Sequence, residues 1–400
     1  MKQLLLPFLF FATLLSASAQ SNFKVIGYLP YYRFSWLNDI EFERLTHVNI
    51  AFANPDSSGN FSVGGVSITN AVSKAHAKGC KVFISLAGGY LTPAQDATWG
   101  YLTLPANRAF FIQKIVQYVQ AKGLDGVDID LEWQYVKSWY SPFILDLKAA
   151  LAPLGLPLTA ALPGDYRYPQ ITNAALAAFD WVNMMIYDRT GPFNPANPGQ
   201  HSPYWWAQDC VQYWLNQNVP AQKLTLGVPF YGYNFGVSPV EALTYRYIVN
   251  LNTANAQLDQ VNDIYYNGIP TIKAKTQLAI DKVAGVMIWE IGQDAFGVNK
   301  QYSLLRAIDE LVGPLSPTQE PSIAGLDVYP NPVANQLFLT LPAGTEGSVM
   351  ITDIAGRLLK NVPVNGETLL QVPVDEFPAG LYVVVCHNLE KVQSAKFVKQ

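Results

Sequence analysis

Charge is scarce in this chain. Of 400 residues only 14% are Asp, Glu, Lys or Arg, whereas half are apolar; an ordinary soluble protein carries about a quarter charged residues. The net charge is −4 and no run of Lys and Arg occurs, which argues against nucleic acid and against an anionic membrane surface as partners. Cysteine is scarcer still. Cys80, Cys210 and Cys386 stand in distant segments, and an odd, widely spaced set makes no disulfide framework. All three are expected as buried small hydrophobes, with a Cys80–Cys210 bridge as the alternative. His201 lacks partners at ligand spacing, so no metal site follows and no cofactor is expected. Long apolar runs are missing except at the start, where Lys2, the run Leu4 to Leu15 and Ala17-Ser18-Ala19 precede Gln20. That is the pattern of a secretory signal peptide, residues 1–19. No later run could span a bilayer, so the mature protein is expected to be exported and to carry no transmembrane segment.

What the chain has in quantity is short apolar runs. Between Lys24 and Leu311 they are Val25–Leu29, Val48–Ala53, Val82–Leu86, Gly126–Leu131, Leu158–Leu162, Trp181–Tyr187, Leu224–Phe230 and Val283–Trp289. Amphipathic segments such as Arg108–Ala121 and Ser141–Ala152 lie between them. Eight strands alternating with helices predict an α/β fold, a (β/α)8 TIM barrel, whose chemistry belongs at the C-terminal ends of its strands. Pro314, Pro317 and Pro321 then mark a linker, and short alternating runs past it predict a small all-β sandwich. The expected division is 1–19 signal peptide, 20–313 catalytic domain, 314–324 linker and 325–400 β-sandwich.

One stretch stands apart, Asp125-Gly126-Val127-Asp128-Ile129-Asp130-Leu131-Glu132. Alternation along a strand sends Asp128, Asp130 and Glu132 to one face and Val127, Ile129 and Leu131 to the other. Like charges so close cannot all ionise when buried, so at least one pKa must rise. A calcium site would spread its oxygen ligands along a turn rather than an apolar strand. The octet resembles the Asp-x-x-Asp-x-Asp-x-Glu signature of the family 18 glycoside hydrolases, the chitinases and their relatives.

Other strand ends carry the same resemblance. Ser85-Leu86-Ala87-Gly88-Gly89 is similar to the family's Ser-x-Gly-Gly, where the glycines let the backbone pass close to the catalytic strand and Ser85 can bond an inward carboxylate. Met185-Ile186-Tyr187-Asp188 resembles Met-x-Tyr-Asp, which implies that Tyr187 bonds the substrate's N-acetyl carbonyl while Met185 and Asp188 border that subsite. Trp289 matches the tryptophan on which the sugar stacks, with Glu290 as a reserve acid at the same rim. Tyr28 and Phe52 fall near the implied sugar-binding floor, or are barrel filling. The segment Gly227 to Gly232, with Tyr231, also fits, although Tyr233 stands where the family commonly has Arg. The loop from Thr190 to Trp206, with Phe193 and His201, is expected beside the cleft. About fifty residues separate the last two strands, an interval expected to be too short for the α+β insertion of processive relatives; an open, endo-acting groove follows.

Asp130 and Glu132 are neighbours on one strand, about 6.5 Å apart along it, so they approach a sugar from the same side. The resemblance therefore implies that the nucleophile is the substrate's own acetamido oxygen, with retention of configuration. Glu132 is then acid and base, Asp130 the group that orients the acetamido N–H, and Asp128 the proton-sharing neighbour; Asp125 is structural. The implied partner is chitin or another N-acetylglucosamine-containing glycan. An N-glycan endo-β-N-acetylglucosaminidase and a non-catalytic chitin-binding lectin are the rival readings. In the C-terminal region, Val328-Tyr329-Pro330-Asn331-Pro332, Asp353-Ile354-Ala355-Gly356-Arg357 and Pro378-Ala379-Gly380-Leu381-Tyr382 resemble the sorting domain read by type IX secretion machinery. This implies a secreted protein, extracellular or attached to the cell surface. A carbohydrate-binding module of similar shape is the alternative.

Overall fold

The computed structural model describes residues 23–313, 324–341, 345–353, 358–388 and 392–400. The expected signal peptide, the linker up to residue 323 and the turn at 354–357 lie outside the described residues. The eight apolar runs form strands β1 (Lys24–Pro30), β2 (His47–Pro55), β3 (Lys81–Gly88), β4 (Gly126–Leu131), β5 (Leu158–Pro163), β6 (Trp181–Met185), β7 (Leu224–Pro229) and β8 (Gly285–Trp289). Each pairs in parallel with the next, and β1 pairs with both β2 and β8, so the ring is closed.

Alternation divides the side chains as a barrel requires. Val25, Leu29, Val48, Ile50, Val82, Ile84, Val127 and Ile129 belong to the main apolar core, the outer layer between strands and helices. Ile26, Tyr28, Ala51, Phe83, Ala161, Trp181 and Met287 form a separate inner cluster that closes the barrel's centre. The helix Pro105–Lys122 starts with proline at its first turn and ends at Gly123, whose φ of 63° is the left-handed stop that glycine adopts freely. Register does the rest. Ser85 lies beside Asp128 and Asp128 beside Thr159, so the acid strand faces hydroxyl-bearing strands on either side.

Between β7 and β8 the structure corrects an expectation. Four antiparallel strands, Tyr231–Asn234, Glu241–Thr244, Gln260–Val261 and Ile264–Tyr265, form a small sheet there, together with the helix Tyr245–Leu251. The interval thus holds a compact α+β insertion. Strands of two to four residues with half-exposed faces leave no alternation long enough to read.

The described residues from 324 onward form a second compact unit. A five-stranded sheet includes Glu346–Asp353, Leu358–Asn365, Gly380–Asn388 and Val392–Lys399, and a three-stranded sheet holds Asp327–Tyr329, Gln336–Thr340 and Leu369–Pro373. Val333, Leu337, Leu339, Val349, Ile351, Val384 and Phe397 pack as their core. All three cysteines are free and buried. No helix among the described residues is long and apolar enough to cross a membrane.

Candidate active site

The site is built outward from Asp128, which is wholly buried on the inner face of β4. Four donors from four other strands converge on its carboxylate. The Tyr28 hydroxyl and the Ser85 hydroxyl reach Oδ2, both at 2.7 Å, while the Thr159 hydroxyl at 2.6 Å and the Asn183 amide at 3.2 Å reach Oδ1. Burial pushes the Asp128 pKa up and these four donors draw it back. Thr225 continues the network by donating to Asn183 Oδ1 at 2.8 Å.

Two residues nearer the rim, Asp130 is 3% exposed, and its Oδ1 is buried without a hydrogen-bond partner. Burial first, then the charges of Glu132 and Asp128, hold its pKa well above the usual carboxylate range. Glu132 follows the strand in extended conformation, partly exposed at the mouth. Burial of its carboxyl, then the charge of Asp188, push it up to about 7, while its hydrogen bond with Asp130 draws it down. The pair therefore holds a proton near neutral pH, as the spacing of the octet predicts. Gly89 makes room for it: a Cβ there would stand 2.5 Å from Glu132 Oε1. Asp125 is structural, accepting from the Val82 amide and pairing with His76, both at 2.7 Å.

The acids open into a cleft of about 880 Å³ lined by Phe52, Tyr90, Asp130, Glu132, Trp133, Asp165, Met185, Tyr187, Asp188, Phe193 and Trp289, among others. Trp289 and Phe52 stack at 5.6 Å with an interplanar angle of 17°. The Tyr187 hydroxyl meets Met287 Sδ at 3.7 Å. Three further residues from the strand ends lie behind the cleft, with Ser85 bonding an inward carboxylate as its motif implies. Tyr28 and Ser85 are buried as donors to Asp128, and Tyr231 is buried with its hydroxyl on Asp188 Oδ1. Strand parity gives the face of a side chain but not its depth along the barrel axis. Tyr233, where Arg is common, donates to the same Asp188 oxygen at 2.9 Å. The reserve acid Glu290 is taken up by Arg33 at 2.7 Å and by the Gly292 amide at 2.8 Å. Phe193 lines the cleft, whereas His201 is buried beneath it, against Tyr231 and Tyr233.

Reasoning from the sequence missed Tyr90, Asp165 and Arg189 as lining residues. Tyr90 and Arg189 directly follow a recognised motif and Asp165 stands two residues past a strand end, and that proximity is the one signal that could have found them.

Residues 24–294 match the family described as Glycosyl hydrolases family 18. The chain belongs to that family. The match runs through the whole barrel wall, from the strand of Tyr28 to that of Trp289. Residues 327–400 match the secretion system C-terminal sorting domain. A family 18 chitinase from the chitin utilization locus of Flavobacterium johnsoniae is similar in structure, with 44% identity and a TM-score of 0.70 over 72% of this chain and 94% of that one. A chitinase from Bacteroides thetaiotaomicron shows 30% identity and a TM-score of 0.62, covering 72% and 95%. Among curated relatives, Probable chitinase 10 of Drosophila melanogaster is 26% identical over 261 residues, 54% of this chain and 11% of its own length. The Class V chitinase of Arabidopsis thaliana is 25% identical over 276 residues, 60% of this chain and 70% of its own length.

Proposed function

We propose that this family 18 barrel is a chitinase that hydrolyses β-1,4-linked N-acetylglucosamine polymers with retention of configuration; the insertion after β7 removes the ground for expecting an open, endo-acting groove. The observation that carries the reading is the unpartnered Oδ1 of Asp130, buried beside Glu132 in a pair that holds a proton near neutral pH. An orphaned buried acceptor needs a donor, and the N–H of a substrate acetamido group is one. The other carboxylates of the cleft are engaged. Asp165 accepts from the Trp206 indole at 3.0 Å, and Asp188 from Tyr231 and Tyr233. The nucleophile is then left to the substrate.

Glu132 gives its proton to the glycosidic oxygen as the acetamido oxygen attacks C1, the C1–O bond breaks and an oxazolinium ion forms. Asp130, one step nearer the rim than Asp128 on the same strand face, orients the N–H and balances the charge that develops. Ionised Glu132 next takes a proton from water, which attacks C1 and reopens the ring. Trp289 offers the flat face under the sugar, with Tyr187 and Met185 beside the acetamido group. Relatives named chitinases support this substrate. The C-terminal unit is read as the sorting address for type IX machinery, which makes the protein secreted or surface-attached. In this division residues 20–313 are catalytic, 314–324 the linker and 325–400 the sorting domain.

The test is incubation with a chitin hexasaccharide and with a high-mannose glycopeptide, following products and anomers by NMR. Short β-anomeric chito-oligomers are expected. Release of an intact glycan from the glycopeptide alone would move the function to N-glycan processing, and binding without cleavage of either would refute catalysis.

A further inference from the structure

Lys275, on the helix Ile269–Lys282, is wholly buried. Its three ammonium protons go to the Ser202 carbonyl at 2.6 Å, the Ser202 hydroxyl at 2.6 Å and Asn267 Oδ1 at 2.7 Å. All three acceptors are neutral. Burying an ammonium group without a carboxylate against it is costly, and an apolar side chain would fill the space more cheaply. Burial accordingly pulls the Lys275 pKa down to about 7, with Asp259 and then Cys210 drawing it up. Asp259 itself is occupied by the Gly268 amide at 2.8 Å and the Thr271 hydroxyl at 2.5 Å.

The bonds made by Lys275 lead into the active site. The Ser202 hydroxyl donates a hydrogen bond to the Ile186 carbonyl, immediately before Tyr187 and Asp188. The neighbouring His201 accepts from the Arg189 amide through its carbonyl at 3.0 Å and lies 3.5 Å from the Asp188 amide through Nδ1. Asn267 donates to the Ser202 carbonyl at 3.0 Å, closing a triangle with Lys275. The turn so gripped carries Asp188 at φ 63°, a left-handed conformation that a residue with a side chain keeps only under constraint.

We propose that Lys275 is a positioning residue that acts through Ser202 to fix the Ile186–Asp188 turn, and thereby the distance of the Asp188 carboxylate from Glu132. This rests on Glu132 being the proton donor of the reaction. After burial, repulsion from Asp188 raises the Glu132 pKa, while the hydrogen bond with Asp130 from β4 lowers it; the hydroxyls of Tyr168 and Tyr187 are the other ionisable groups that face Glu132. Around Lys275 itself the ionisable groups are Asp259, Cys210 and, beyond Cys210, Asp165 of the cleft and Asp209 on the helix Tyr204–Asn216. If the turn relaxes, Asp188 moves away and Glu132 loses its proton at lower pH.

The experiment follows the Glu132 carboxyl by carbon-13 NMR in full-length protein labelled at glutamate, with Glu132→Gln identifying its signal. Asp188→Asn is expected to lower the midpoint by removing the charge. Lys275→Met is expected to lower it by about half a pH unit, and the double variant to titrate like Asp188→Asn alone. A wild-type midpoint in Lys275→Met, or an equal further drop in the Asp188→Asn background, would overturn the proposal. Ser202→Ala breaks the same connection from the other side and decides the matter should Lys275→Met not fold. Turnover of chitin hexasaccharide should fall about tenfold in kcat with KM little changed. A wild-type protein that leaves the hexasaccharide uncut refutes the reading of the reaction, while the titration still decides the role of Lys275.

Discussion

Replacing Gly89 with alanine separates the placement of the acid from the stability of the fold. The new methyl would lie 2.5 Å from Glu132 Oε1, 3.1 Å from its Cδ and 3.4 Å from Oε2. Non-bonded carbon and oxygen settle at roughly 3.5 Å, so the carboxyl must retreat by about 1 Å. Because the obstructed atoms are the tip of a flexible side chain, the backbone need not move. The stability change is expected within about 1 kcal/mol, the lost glycine freedom in the unfolded chain offsetting part of the contact. A displacement of about 1 Å at a reacting group costs about 100-fold in rate, equivalent to about 2.7 kcal/mol of barrier. The assay is kcat on chitin hexasaccharide, paired with thermal unfolding. Gly100→Ala is the control, since a Cβ there meets nothing within 4 Å. Wild-type kcat in Gly89→Ala would refute the inferred position of the acid, and loss of folding would refute the claim that only the side chain is displaced.

Further outcomes follow from the same geometry. Glu132→Gln should abolish hydrolysis while chito-oligosaccharide binding, measured by calorimetry, persists. Since Glu132 must be protonated to act and sits at about 7, kcat should fall as pH rises through that value, and a flat profile from pH 6 to 8 would contradict the assignment. Tyr28→Phe removes one of four donors from buried Asp128, so the Asp128 pKa should rise further and stability drop by about 1.5–3 kcal/mol in urea unfolding. Trp289→Ala removes the stacking surface and should lower kcat/KM about 100-fold, read on the same hexasaccharide.

The barrel was legible because its eight strands are apolar on the outer face, and the alternation within the octet alone sends Asp128 and Asp130 inward. Depth was not legible. Tyr28 and Tyr231 belong to strand ends just as Trp289 does, but their polar tips are turned to Asp128 and Asp188 rather than to the cleft, and only for Ser85 did the motif anticipate a carboxylate partner. The insertion after β7 escaped because its strands are shorter than one reliable period. Lys275 lay furthest from view. Nothing in the helix Ile269–Lys282 distinguishes a buried lysine from a solvated one, because its partners come from residues 202 and 267, brought together only by the fold.

The four donors on Asp128 reside on β1, β3, β5 and β6, separated by up to 155 residues of chain. A partly assembled barrel, missing the first strand or the sixth, leaves that carboxylate short of donors in an interior already closing to water. During refolding, helical signal should therefore return before hydrolysis does, because the acid row becomes competent only when the ring has shut. Activity in this protein reports ring closure, and a lag between the two signals would time the final step of assembly.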